Sequence, residues 1–437
     1  MRHLYRVFSH GISPFMGYWL KRRAARGKED ISRMRERLGH LSISRPEGKL
    51  VWIHAASVGE SSSVMPLIER LLAANESLHI VITTGTVSSA KLLGTRLAER
   101  TYHQFAPVDT PRAVKRFMRS LKPDAAIWVE SEFWPNLLRE THKCGVPMLL
   151  INARLSARSY QRWRFMAGSF AHMMRCFTAI YAGSPTDKQF LHQLGVARVQ
   201  WAGNLKYDAD VLPSDPEQTG KVLGKIGDRH VWLASSTHAG EEAFIIDAHR
   251  QIREVYADIL TIIVPRHPQR GDEIAALLAQ HKLTIARRSK TQVILPETDV
   301  YLADTLGELG IFYRLAGVGL IGGSLVAHGG HNPIEPAQLD CAIVCGPHME
   351  NFANIVADLQ EAKALVQVGT PEALAQEVLN LLRDHEAQDA MAKRAHTLVD
   401  SKRGASDIIA ERVLAELGLA GVQAPEALEP EAQEQPL

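Results

Sequence analysis

Cysteine is scarce in this chain. The four that occur among 437 residues, Cys144, Cys176, Cys341 and Cys345, lie in apolar contexts without CxxC spacing. That pattern excludes a disulfide framework and a structural zinc site, and it predicts reduced core thiols in a cytosolic protein. Long apolar runs are missing too: none reaches the roughly 18 residues expected of a spanning helix. The N-terminal stretch LYRVFSHGISPFMGYWLKRRAARGK is interrupted by Arg6, His10 and Pro14 and lacks the small-residue cleavage site of a secretory signal. Net charge is close to zero, with 50 Lys and Arg against 48 Asp and Glu. This argues against a dedicated nucleic-acid binder. No GxGxxG follows a first strand, so nicotinamide dehydrogenase chemistry is not expected. His328 and His331 stand three apart in a Gly-rich loop, but no third ligand pattern accompanies them. They read as polar loop histidines, and neither a metal nor a cofactor is expected.

What is present is an alternation of short apolar runs and helical segments over a length too great for one ordinary core. Candidate strands are VWIHAA, HIVITT, AAIWVE, MLLINA, AIYAG and VQWAG, then VWLASS, LTIIVPR, GVGLIGG, AIVCGP and ALVQVG. Between the two series, KYDADVLPSDPEQTGKVLGKIGDRH is polar and carries Pro and Gly, the mark of a linker. The fold expected is α/β, two Rossmann-like domains facing a cleft, over residues 27–208 and 209–400. A last helix is expected within 401–420. The acidic Pro-, Ala- and Gln-rich residues 421–437 read as a disordered tail. Residues 1–26 combine Tyr5, Phe8, Phe15, Met16, Tyr18, Trp19 and Leu20 with Lys21, Arg22, Arg23 and Arg26. Such a segment is suited to lying in the interface of an anionic membrane surface.

Ligands of parallel α/β sheets bind beyond the carboxyl ends of the strands. Polar residues gather there in nearly every loop: HAASVGE, ESEFWPN, NARLSARS, GNLKYD, SSTHAGEE, PRHPQR and GGSLVAHGGHNPIEP. Glu60, closing HAASVGE, is either a favourable charge at a helix start or a group placed for chemistry. In GGSLVAHGGHNPIEP the glycines allow close backbone approach, Asn332 reads as an N-cap and Pro333 as a first helical residue. Amides of a helix starting there suit a phosphate. Glu335 is either a ribose-diol acceptor or a surface carboxylate at a helix start. Arg266 and His267 suit an anion. SSTHAGEE, with Ser235, Ser236 and Thr237 ahead of a helix near Glu241, is either a capping box or a second anion cradle, and the cradle is favoured. Trp134 is expected at a helix start, packing rather than stacking on a ligand.

Taken together, HAASVGE, ESEFWPN, NARLSARS, GNLKYD, PRHPQR and GGSLVAHGGHNPIEP resemble the transferases of 3-deoxy-D-manno-octulosonic acid (Kdo) in lipopolysaccharide synthesis. The likeness runs from about residue 30 to about 415, with the motifs in order. It implies a GT-B fold and metal-independent inverting transfer of Kdo from CMP-Kdo to a lipid A precursor, at the cytoplasmic face of the inner membrane. The family's general base falls on Glu60, and Glu130 and Lys206 match positions supporting the transition state. Donor recognition maps to Arg266, His267, Gly307, Glu308, Leu309, Asn332, Pro333, Ile334 and Glu335, with Ser235 beside the phosphate. Acceptor contacts map to Ser57, Gly59, Arg154 and Arg158. Ala56 stands where many members have valine, and Ala157 replaces the more usual Glu of NARLSERS. A nucleotide-sugar 2-epimerase and a non-catalytic nucleotide-sugar binding protein are the alternative readings of such a chain.

Overall fold

The computed structural model describes residues 2–94 and 96–419; the tail expected over 421–437 lies outside them. The chain divides into two compact units, the first formed by residues 1–209 and 403–437 and the second by 210–402.

In the first unit, seven strands form one parallel sheet: β1 (Lys49–His54), β2 (Leu78–Thr84), β3 (Thr101–Phe105), β4 (Ala125–Val129), β5 (Met148–Ala153), β6 (Ala179–Ala182) and β7 (Val199–Trp201), in the order β3-β2-β1-β4-β5-β6-β7. Helices cover both faces, so its central strands are apolar without alternation: Leu50, Val51, Trp52 and Ile53 are all fully buried. Chain direction across the sheet reverses between β1 and β4, which opens the crevice where ligands of such sheets bind. The helices that follow strands begin on hydroxyl caps. Ser57, Thr86, Ser156 and Ser184 accept from the backbone N–H of Glu60, Ser89, Ser159 and Asp187.

The second unit repeats the plan with β8 (Val231–Thr237), β9 (Leu260–Pro265), β10 (Ile285–Arg287), β11 (Val300–Leu302), β12 (Val318–Ile321), β13 (Ala342–Cys345) and β14 (Leu365–Gln367). Its order is β10-β11-β9-β8-β12-β13-β14, with the reversal between β8 and β12.

Both chain ends belong to the first unit. The helix Ala405–Glu416 buries Ala405, Ile409, Ala410 and Val413 in one core with Leu67, Ile68, Leu71 and Leu72. Asp208 fixes its start by accepting from the N–H of Gly404 at 2.7 Å and of Ser406 at 2.5 Å. The N-terminal residues form two docked helices, Arg2–Ile12 and Met16–Ala24. Tyr5 Oη donates to Asp109 at 2.9 Å, Asn136 Nδ2 donates to Ser9 Oγ at 3.0 Å, and Leu20 packs buried with Val108 and Ala113. None of the helices among the described residues is long and apolar enough to cross a membrane. The cysteines are free, but only Cys341 and Cys345 are core residues; Cys144 is exposed at the end of the helix Pro135–Lys143.

Candidate active site

Glu60 sits in the first turn of the helix Val58–Ser63, directly beyond β1 at the sheet reversal. It is buried, and the turn holds it at three points. Ser57 Oγ donates to Glu60 Oε1 at 2.7 Å, the Ala56 N–H donates to Oε2 at 2.8 Å, and Glu60 N–H returns a bond to Ser57 Oγ at 3.3 Å. This is a capping box, yet the carboxylate is not simply stabilised by it. Loss of water around Glu60 outweighs those bonds, and the charges of Glu130 and Glu132 add to the loss, so its carboxyl is pushed up to about 7. A helix start by itself favours the ionised form of a carboxyl, and at Glu60 desolvation outweighs that preference. Gly59 has no atoms within 4 Å of where a Cβ would be, so packing does not explain its small size.

Glu130 follows β4 and adopts a left-handed backbone, φ +58°. Lys206 Nζ lies 3.4 Å from its Oε1. The lysine comes from the short turn Leu205–Asp208, which Asn204 caps by accepting from Lys206 N–H at 3.0 Å. Glu132 is also raised, first by burial and then by Glu130. Trp134 is exposed, and its Nε1 donates to Glu132 at 2.8 Å, so it neither packs in the core nor stands clear of the site. Arg154 is half-buried near Asp187, and Arg158 is exposed in the helix Ala157–Arg164.

In the second unit the loops after β8, β9 and β12 converge at the sheet reversal. His238 Nε2 lies 2.9 Å from His331 Nε2, His328 stacks on His238 at 4.2 Å between ring centroids, and His267 meets it edge-on at 5.6 Å. Burial and the neighbouring cations hold His238 down at about 4 and His331 at about 3, so both rings are neutral in the physiological range and share one proton. Among the described residues no group of three or more His, Cys, Asp or Glu could hold a metal ion. Arg266 and His267 are exposed at the end of β9.

Several sequence expectations change here. Glu241 is fully buried, and its carboxylate accepts from the N–H groups of His238 at 2.9 Å, Gly323 at 2.7 Å, Ser324 at 3.0 Å and Leu325 at 2.9 Å. Three of those amides belong to GGSLVAHGG, so the carboxylate near the end of SSTHAGEE anchors that second loop, and within SSTHAGEE it takes the His238 N–H alone. Ser235 is buried too; its hydroxyl donates to the Leu320 carbonyl at 3.0 Å and accepts from Tyr313 Oη at 2.7 Å, facing the core instead of a ligand. Gly322 is small because a Cβ would come within 2.5 Å of the Ser235 and Ser236 carbonyl oxygens. The helix expected after Asn332 is a single turn, Ile334–Ala337, whose N-cap position is Pro333. Asn332 still serves it, accepting from Ile334 N–H at 3.1 Å and pointing Nδ2 at Glu335 Oε1, 3.4 Å away. One turn carries little macrodipole, so free amides and side chains matter more there. Gly307 needs its glycine, φ +83°, and the following Glu308 is paired with Arg288, Nε to Oε2 at 2.7 Å. That pairing holds the Glu308 carboxyl below its ordinary value, leaving the backbone of Gly307–Leu309 as the part open to a ligand. Asn152 and His238 are not singled out from the sequence, and Glu241 only as the start of the helix Glu241–Arg253. Their signals, a polar residue ending an apolar strand and an acid three residues after a strand-end turn, are present but unspecific.

Two parallel seven-stranded sheets with reversal-point loops define the GT-B type of α/β enzyme. The UDP-GlcNAc 2-epimerase of Neisseria meningitidis, solved with UDP-GlcNAc, shares this fold at a TM-score of 0.57 and 16% identity, over 84% of this chain and all of that one. The family model for 3-deoxy-D-manno-octulosonic-acid transferase (kdotransferase) matches residues 32–209. Over 410 residues the chain is 35% identical to a protein of Arabidopsis thaliana designated a probable mitochondrial 3-deoxy-D-manno-octulosonic acid transferase, covering 91% of this chain and 92% of the other. It is 33% identical over 375 residues to the 3-deoxy-D-manno-octulosonic acid transferase of Haemophilus influenzae, covering 84% and 86%. The chain belongs to the 3-deoxy-D-manno-octulosonic acid transferase family of glycosyltransferases.

Proposed function

We propose that the chain transfers Kdo from CMP-Kdo to the hydroxyl of a lipid A precursor, lipid IVA, by metal-independent inverting displacement, with Glu60 as general base. The observation that carries this reading is a buried carboxyl at a sheet reversal, poised near neutral pH by desolvation and by neighbouring acids. The acceptor oxygen forms its bond to the anomeric carbon while the bond to the CMP phosphate breaks, and Glu60 takes the hydroxyl proton. CMP leaves with the bonding pair. Lys206 and Glu130, at 3.4 Å, form the charged pair that meets the oxocarbenium character of the transition state. Arg266 and His267, the Gly307–Leu309 backbone, and Asn332 through Glu335 bind the CMP portion. Glu335 accepts from the ribose, and Arg266 offsets the charge of the departing phosphate. Ser57, Gly59, Arg154 and Arg158 bind the acceptor; the open space at Gly59 admits a sugar close to the backbone.

The test is purified protein with CMP-Kdo and tetra-acylated lipid A precursor, the products read by mass spectrometry. Lipid carrying added Kdo supports the reading. Isomerised sugar nucleotide, or CMP-Kdo binding without turnover, overturns it.

The N-terminal helices support attachment to the cytoplasmic face of an inner membrane. Phe8, Phe15, Tyr18 and Trp19 are exposed, next to the exposed cations Lys21, Arg22 and Arg26, an arrangement suited to anionic headgroups. Because Tyr5, Ser9 and Leu20 dock these helices, serine replacements at Phe8, Phe15 and Tyr18 test the idea more cleanly than truncation. The triple variant is expected to lose most co-sedimentation with anionic vesicles while keeping its melting temperature. Undiminished vesicle binding would place the attachment elsewhere.

A further inference from the structure

The pairing of β5 with β6 is irregular at its end. Leu150 lies opposite Ile180 and Ala153 opposite Ala182, so Ile151 and Asn152 together face the single residue Tyr181. Such a bulge bends a strand and re-aims its side chains, and bulges are common beside active sites. At Asn152 the backbone is left-handed, φ +50°, a conformation Asn tolerates better than most residues. Its side chain is buried, and Nδ2 points at Glu130 Oε1, 3.5 Å away. The reverse amide orientation would set Oδ1 against a carboxylate oxygen, so charge fixes which way the group faces. Gly183 closes the other side: even a Cβ there would come to 2.9 Å from Asn152 Oδ1, an oxygen buried with no partner among the described residues. Glu130 is left-handed as well, at φ +58°. Two non-glycine residues in that conformation at adjacent strand ends are backbone strain of the kind that gathers at functional sites.

We propose that Asn152 is a positioning residue for the transfer: the bulge ending β5 aims its carboxamide at Glu130 and thereby fixes the Glu130–Lys206 pair. The proposal rests on the reading above that Glu130 serves the reaction. Long catalytic hydrogen bonds in an unliganded protein shorten once the reacting charge is present. The buried Asn152 amide faces Glu130 Oε1 at 3.5 Å, and Lys206 holds the same oxygen by charge at 3.4 Å.

A double-mutant cycle on the full-length chain tests this, with CMP-Kdo and the lipid acceptor as substrates. Asn152→Gly keeps the left-handed backbone at no steric cost and removes the side chain that carries the amide. It is expected to lower kcat by about 10- to 100-fold, the range for a hydrogen bond to a charged group, while KM for CMP-Kdo stays unchanged. In a Glu130→Gln background the same replacement should change kcat by less than about twofold, because its partner is gone. A kcat within about twofold of native for Asn152→Gly, or an undiminished effect in the Glu130→Gln background, overturns the assignment. Should Glu130→Gln itself turn over at the native rate, the role of Glu130 fails and the assignment falls with it. An impaired Glu130→Gln with additive effects defeats the Asn152 assignment alone. If Asn152→Gly does not fold, Asn152→Asp takes its place, since Asp also adopts the left-handed region and turns an oxygen toward Glu130. Its kcat is then expected to fall further than about 10-fold at unchanged KM, and a native kcat overturns the proposal.

Discussion

Replacing Glu60 by Gln is expected to abolish transfer, on the order of 10²- to 10⁴-fold in kcat, while leaving the fold and CMP-Kdo binding intact. The surroundings accept the amide well: its oxygen takes the Ala56 N–H, and its NH₂ donates to Ser57 Oγ after that hydroxyl turns. What is lost is a proton acceptor. With the Glu60 carboxyl at about 7, the native kcat/KM should climb as pH rises through 7 and level off above it, because only the ionised form is a base. Stability should run the other way. Between the ordinary value near 4.5 and about 7, the folded protein keeps a proton that the unfolded chain has released, so folding is favoured in acid and that benefit fades as pH rises through the window. Glu60→Gln has no proton to lose. It should therefore melt above the native protein at pH 8, with the difference vanishing near pH 4.5. Turnover by the variant within about tenfold of native would remove Glu60 from the base role.

The second large effect is expected at Glu241, which acts on backbone amides. Its two oxygens satisfy four backbone N–H groups, those of His238 and Gly323 on Oε2 and those of Ser324 and Leu325 on Oε1. Glu241→Ala leaves those donors buried and unpaired, each at a cost of about 1–3 kcal/mol. The sum, on the order of 4 kcal/mol or more, is a large part of the stability of an ordinary domain. Urea unfolding followed by tryptophan fluorescence should show it, Trp232 being buried in the second unit. Glu241→Gln keeps the shape but sets an NH₂ group against two amide donors in either orientation, so it should fall between alanine and native. Donor affinity should drop in both variants, since His238 and Gly323 lead into the histidine cluster. A loss below about 1 kcal/mol for the alanine variant would mean that water satisfies these amides.

Much of this plan was readable in the sequence where burial leaves a strong signature. VWIH, AAIWV and TIIV are buried on both faces, and such runs announce central parallel strands. TYHQF, IAR and VYL, which form β3, β10 and β11, carry no such signature. Two of them have only three residues, and TYHQF is too polar for its apolar count to stand out. At the site, Glu60 was identifiable from its place after a strand and glycine, but its titration was not. Whether a capped carboxylate is stabilised or destabilised depends on the water it has lost, which no spacing records. For the same reason SSTHAGEE does not announce that its own Glu241 reaches across the sequence to the amides of Gly323, Ser324 and Leu325. Asn152 was hidden by its backbone, because a left-handed bulge at the end of MLLINA leaves no composition to read.

The return of the chain to its starting unit sets an order of assembly during synthesis. Residues 210–402 are contiguous and close their sheet from their own sequence. The first sheet emerges earlier, yet Leu67, Ile68 and Leu71 have one side of their core open until Ile409 and Val413 arrive. Domains ordinarily fold in the order in which they leave the ribosome. Here the part made first is the part finished last, with Asp208 waiting nearly two hundred residues for the amides of Gly404 and Ser406 that lock it shut.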